Sequence, residues 1–156
     1  MSTSSLKNIR EYISNLRGAR YRSLIIHGAA LGGKSTFARR LAEVENGVYV
    51  DVLSRVADDA ELSARVDELD EEWLEQLAHE SAATGAPLVV IDEWDFLIPT
   101  WGDSIATFIQ RIGPLYLEGT VVIVWVLSSR AELENPILPP DKSEGRILAL
   151  EEIASL

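Results

Sequence analysis

Residues 28–35 read GAALGGKS, which fits G-x-x-x-x-G-K-[ST], the pattern of a phosphate-binding P-loop or Walker A motif. Each fixed position answers to a part of a nucleotide. Gly28 and Gly33 let the backbone wrap tightly, with Gly32 adding freedom, so that amide N–H groups face phosphate oxygens. The expected cradle is Gly28, Ala29, Ala30, Leu31, Gly32 and Gly33 through their amides, with Lys34, Ser35 and Thr36 opening a helix. Lys34 is placed to reach the β- and γ-phosphates, which makes it a catalytic candidate as well, and the Ser35 hydroxyl is placed to ligate Mg²⁺. The helix aims the positive end of its dipole at the same anion. Around the motif, the apolar run SLIIH at 23–27 predicts a buried strand and TFARRLA at 36–42 predicts the helix.

Phosphate binding alone is not hydrolysis, which needs a carboxylate to organise Mg²⁺ and a base to align water. Residues 88–93, LVVIDE, offer both: four apolar residues and then an acid, a Walker B pattern. It predicts Asp92 at the carboxyl edge of a sheet, beside the P-loop, holding the Mg²⁺ shell together with Ser35. Glu93, next in line, is the candidate to polarise the attacking water.

The remaining elements are read from periodicity. Leu6, Ile9, Ile13 and Leu16 recur at helical spacing, predicting an amphipathic helix over residues 4–18. Strands are expected at about 22–27, 48–52, 88–91, 120–127 and 146–150. Between them, Leu62, Val66, Leu69, Trp73 and Leu77 form one stripe of a long helix whose other face carries Asp67, Glu68, Asp70, Glu71, Glu72 and Glu75. Ile105, Phe108, Ile109 and Ile112 mark another helix, and Pro136, Pro139 and Pro140 a loop. Strands alternating with helices, with apolar residues on both strand faces, predict one α/β domain over residues 1–156. It is a three-layer α/β/α sandwich around a five-stranded parallel sheet, the P-loop NTPase fold.

Bulk properties fit one soluble domain: 156 residues, 47% hydrophobic and 25% charged. With no cysteine there are neither disulfides nor thiolate metal sites, and with His27 and His79 alone no histidine metal cluster. The polar start, MSTSS, is not a signal peptide, and the longest apolar run is too short to span a bilayer, so the expectation is a cytoplasmic protein without membrane contact. The net charge of −11 conceals an asymmetry. Residues 1–40 carry eight bases and one acid, a net of +7; residues 41–156 carry six bases and 24 acids, a net of −18. Most of the surface would repel phosphate, so direct nucleic-acid binding is not expected except through the basic N-terminal segment, which could equally touch an acidic partner.

Walker A, Walker B and the adjacent Glu93 together resemble the P-loop NTPases with an additional catalytic glutamate, the group that includes AAA+ and RecA-like ATPases. The resemblance covers about residues 20–150. It implies ATP and Mg²⁺ as cofactors, and a strand after Walker B lying between the Walker A and Walker B strands. The tip of that strand carries a polar sensor, here the run Ser128, Ser129, Arg130, where AAA+ proteins usually have Asn. The stretch from Arg130 to Pro140, followed by Gly145 and Arg146, resembles the AAA+ segment from sensor to arginine finger. It implies that Ser129 is the sensor and that Arg130 or Arg146 touches a neighbouring subunit's γ-phosphate, with self-association or a larger assembly as the partner. AAA+ proteins also carry a helical lid after the fifth strand, and the sequence ends at Leu156. Part of the usual pocket is therefore expected either to be missing or to be supplied by a partner. In length and motif layout the chain is further similar to the small P-loop proteins of type 3 BREX phage-defence systems.

The leading expectation is an ATPase acting as a switch or motor subunit. A small-molecule kinase is the alternative, although residues 128–146 offer only Arg130, Lys142 and Arg146 for a lid. A third is an adaptor that binds nucleotide without turnover, using the acidic stretch at 60–80 and the apolar run at 94–101 as working surfaces. That run, WDFLIPTW, caps the site, docks a partner or folds back as core.

Overall fold

The computed structural model describes residues 6–29, 33–102, 105–112, 115, 117–130, 133 and 146–156. Five strands, β1 (Ser23–Gly28), β2 (Val48–Asp51), β3 (Leu88–Asp92), β4 (Val122–Ser128) and β5 (Ile147–Ala149), form one sheet in the order β2-β3-β4-β1-β5. Every neighbouring pair is parallel. β4 pairs with β1 along Ser23↔Ile123 to Gly28↔Ser128 and with β3 along Leu88↔Val122 to Ile91↔Trp125. It thus separates the strand that enters GAALGGKS from the strand that ends in Asp92, and all five strands present their carboxyl ends at one edge.

Alternation along the strands divides the interior into two cores. Ile25, Val89, Ile91, Ile123, Trp125 and Leu127 face one side, where they meet Val52, Leu74, Leu77, Phe108 and Ile109. Leu24, Ile26, Leu88, Val90, Val122, Val124 and Val126 face the other, against Ile9, Ile13, Leu16, Ala38 and Leu41. Helices α1 (Ile9–Arg17) and α2 (Lys34–Val44) therefore cover one face. Helices α3 (Val52–Ala57), α4 (Ala60–Ala64), α5 (Glu71–Ala82) and α6 (Ala106–Ile112) lie on the other side. The three-layer α/β/α sandwich expected from the apolar runs is present. Strands so apolar on both faces are stable only when helices cover both.

The single long helix expected over 62–77 is not formed. The segment is α4, a 3₁₀ turn at Val66–Glu68 and α5, preceded by a helix α3 that the apolar pattern did not predict. Aspartates make the breaks. Asp51 accepts from the Ser54 amide, Asp59 from the amides of Glu61 and Leu62, and Asp70 from the amide of Trp73, so each caps a new helix start. An aspartate at a cap satisfies amides that a continuous helix would have bonded to its own carbonyls, and that competition decides the outcome. Much of the acidic run is thereby explained. Asp70, Glu71 and Glu72 occupy the cap and first turn of α5, where negative charge meets the helix dipole.

Two tight features hold the amino edge of the sheet. Gly47 enters β2 where a Cβ would stand 2.6 Å from the Leu88 carbonyl oxygen, closer than any side chain permits. Arg22, only 6% exposed, donates to the carbonyls of Val121 (2.9 Å), Ala19 (2.9 Å) and Leu117. Its fork of donors suits three acceptors converging on one point, and the charge is spread over carbonyl dipoles instead of a carboxylate. α1 is tied down by Glu45, just past α2, whose carboxylate takes Arg10 at 2.5 Å and Arg17 at 3.4 Å.

The run at 94–101 folds back as core. Trp94 is buried just ahead of a 3₁₀ turn, Asp95–Trp101, within which Leu97 and Ile98 are buried. Trp94 packs on Phe108 with ring centroids 4.9 Å apart, and Phe108 meets Trp125 edge-on at 5.2 Å. Trp101 joins the cluster while its indole N–H donates to the Leu69 carbonyl at 3.0 Å. Such offset and edge-on contacts suit the ring quadrupoles and add to the area buried. Among the described residues no helix is long and apolar enough to cross a membrane.

Candidate functional site

The carboxyl edge collects most of the residues singled out in the sequence. β1 delivers Gly28 to it, and α2 leaves it. Gly33 is the N-cap of α2 with φ +81, a left-handed conformation that an L side chain adopts only at a cost of about 1–2 kcal/mol. Having no side chain, it caps nothing, and the first turn of α2 carries no acid. By contrast α1, α3, α4 and α5 each have an Asn or Asp side chain on their opening amides. Among the described residues, the opening amides of α2 therefore have no side-chain cap of their own, and a helix end of that kind suits an anion. Ala30, Leu31 and Gly32 lie outside the described residues. Ala29, Gly33 and Thr36 are exposed and Lys34 and Ser35 half-buried.

β3 brings the two acids. Asp92 ends the strand fully buried, on the α2 face set by alternation with Leu88 and Val90. One carboxylate oxygen accepts from the Tyr49 hydroxyl at 2.6 Å and the other from the Glu93 amide at 2.8 Å. A continued strand would turn Glu93 to the opposite face. Instead Glu93 has φ +59, which ends the strand and lets its carboxylate accept from the Ser35 hydroxyl at 2.6 Å. A non-glycine residue in the left-handed region carries strain of about 1–3 kcal/mol, here at the second of the two candidate acids.

Ser35 therefore contacts Glu93 directly, and Asp92 is engaged on its other flank by Tyr49. A hydroxyl and two carboxylates are oxygen donors of the kind a hard cation such as Mg²⁺ takes, with phosphate and water completing its shell. The donor set fits that ion.

β4 contributes its tip. The Ser129 amide donates to the Gly28 carbonyl at 2.9 Å, and its hydroxyl lies 2.9 Å from His27 Nδ1. The Ser128 amide donates to Asp95 at 2.7 Å, pinning the end of β4 to the turn after β3. Ser129 thus stands beside the first glycine of GAALGGKS, and half-buried Arg130 follows it. Arg146 is elsewhere. It precedes β5 and donates to the Tyr21 carbonyl at 2.7 Å, at the amino edge of the sheet, opposite to Ser35 and Asp92. The proline loop and Lys142 lie outside the described residues.

Tyr49 is the site residue the sequence did not single out. It pairs in register with Val90, two positions short of Asp92, and its ring carries the hydroxyl forward to the strand end. Burial first, and then the hydrogen bond to Asp92, push its phenol well above the ordinary value, so it remains a neutral donor. Arg39 stacks over the ring at 4.6 Å from its centroid. Nothing in VYVD distinguishes this tyrosine from a packing residue, because its role depends on the β2–β3 register.

The chain matches no protein-family model, and no curated protein matches it.

Proposed function

We propose that this chain is a Mg²⁺-dependent ATP-binding and ATP-hydrolysing subunit of a larger assembly, built on a P-loop NTPase core. The observation that carries the reading is the 2.6 Å contact of Ser35 with Glu93 at the open N-terminus of α2. One edge holds an anion-seeking helix end, the lysine of GAALGGKS, and two carboxylates able to organise a cation and a water. In this reading Lys34 and the amides of residues 28–36 bind the phosphates, and Ser35 and Asp92 serve the Mg²⁺. Glu93 aligns water, and Ser129, held by His27, lies toward the γ-phosphate. Water is favoured over a metabolite as acceptor because Glu93 stands at the cation-side hydroxyl itself. Arg146, on the opposite edge, serves only a neighbouring chain's nucleotide, and Arg130 is the nearer candidate to act within the chain. A role in phage defence extends this reading through the chain's length and motif layout.

The experiment is ATP turnover per chain with Mg²⁺ as protein concentration rises, alongside K34A. Turnover that K34A abolishes supports the reading, and a rise with concentration supports a site completed in trans. Turnover that K34A leaves intact overturns it.

A further inference from the structure

We propose that Tyr49 is a positioning residue for Asp92, holding that carboxylate by its hydroxyl in the orientation from which it serves the cation. The inference rests on the nucleotide-binding reading above. A carboxylate has about four lone-pair positions. In Asp92 the Tyr49 hydroxyl takes one on Oδ2, at 2.6 Å, and the Glu93 amide one on Oδ1, at 2.8 Å. Neither contact uses up its oxygen, so one position on each remains for a cation. Held by both oxygens and fully buried, Asp92 keeps a single side-chain orientation.

Tyr49 is itself held from outside. The Arg39 guanidinium lies over its ring at 4.6 Å, and Arg39 is paired at 3.7 Å with Asp51, the cap of α3. A continuous row, Asp51, Arg39, Tyr49, Asp92, thus runs from the half-buried end of β2 to the end of β3. Arg39 stacked on an aromatic face is a favourable cation–π contact, and it restricts the ring that carries the hydroxyl. Hydroxyl partners of this kind, one bond removed from a metal, typically change metal affinity by about 10–100-fold when lost.

The test uses the full chain and a fluorescent ATP analogue. Its affinity is measured in EDTA and across a Mg²⁺ titration for wild type, Y49F and D92N, with thermal melts of each. For Y49F the EDTA affinity is expected to equal wild type while the Mg²⁺ half-point rises about tenfold; D92N shifts further. An unchanged half-point in Y49F beside a shifted D92N overturns the role of Tyr49 and leaves the nucleotide reading standing. A lower half-point in Y49F means that Tyr49 sequesters Asp92, which also overturns it. An unshifted D92N, or no binding by wild type, overturns the underlying reading and this inference with it. Should Y49F fail to fold, R39A loosens the ring and keeps the hydroxyl. A rise of a few-fold in its half-point is then expected, and no change overturns the proposal.

Discussion

The hydroxyl of Ser35 donates to Glu93 at 2.6 Å, joining the start of α2 to the residue just past β3 across 58 positions of sequence. That contact assigns the two adjacent acids different surroundings. Glu93 faces the helix end, and Asp92 is held from β2 by Tyr49. Two carboxylates side by side in the chain are thereby given different surroundings by the left-handed backbone of Glu93.

Replacing Glu93 by Gln keeps an acceptor for Ser35 and removes the charge. Nucleotide binding should persist, while turnover with Mg²⁺ falls by about 10²- to 10⁴-fold, the usual worth of a general base. Binding of a fluorescent analogue and phosphate release, measured on the same preparation, check both halves. Turnover at the wild-type rate would remove Glu93 from the chemistry.

Arg22→Met removes a buried cation and leaves the carbonyls of Val121, Ala19 and Leu117 without that partner. A loss of about 2–4 kcal/mol in unfolding free energy is expected from urea melts. Arg22→Lys should recover only part of it, because an ammonium lacks the planar fork.

Gly47→Ala would set a methyl 2.6 Å from the Leu88 carbonyl oxygen and 2.9 Å from the Leu88 Cβ. Both neighbours belong to β3, an interior strand paired on both sides, and cannot yield cheaply. The expected cost is about 1–3 kcal/mol, read as a lower urea midpoint with an unchanged slope.

The Tyr49 phenol gives alkaline stability a definite sign. Unfolded, it releases its proton near 10.0; folded, it holds the proton to higher pH because of burial and Asp92. The stabilisation is therefore complete below about pH 10 and is lost as pH rises beyond it. Wild type should lose more unfolding free energy than Y49F between about pH 9 and about pH 11 in denaturant titrations. Equal losses would show that Tyr49 is not held as described.

Strand positions were legible from apolar runs, because a strand buried on both faces has little room for polar residues. The helix over 62–77 was misread for a related reason. Its apolar stripe is real, and Leu69, Trp73 and Leu77 do pack inward, but periodicity is blind to Asp59 and Asp70 capping new starts. A search for aspartates two or three positions ahead of the amides they accept from would have found the breaks. The run at 94–101 was ambiguous in sequence, since Trp and Phe serve cores and interfaces equally. The cage of Phe108 and Trp125 around Trp94 decided it.

The sequence by itself determined the layered α/β class, the helix that opens at Lys34 and the acids that end the third strand. All three follow from residue chemistry over a few consecutive positions. Only the tertiary structure decided which residues meet: Glu93 with Ser35, Tyr49 with Asp92, His27 with Ser129, and Arg146 with the opposite edge. The reason is that strand order and register are long-range choices. Placing β4 between β1 and β3 sets which strand tips adjoin, and the β2–β3 register sets how far Tyr49 reaches. Neither is encoded in any local spacing, because each depends on how both faces of the whole sheet are buried at once.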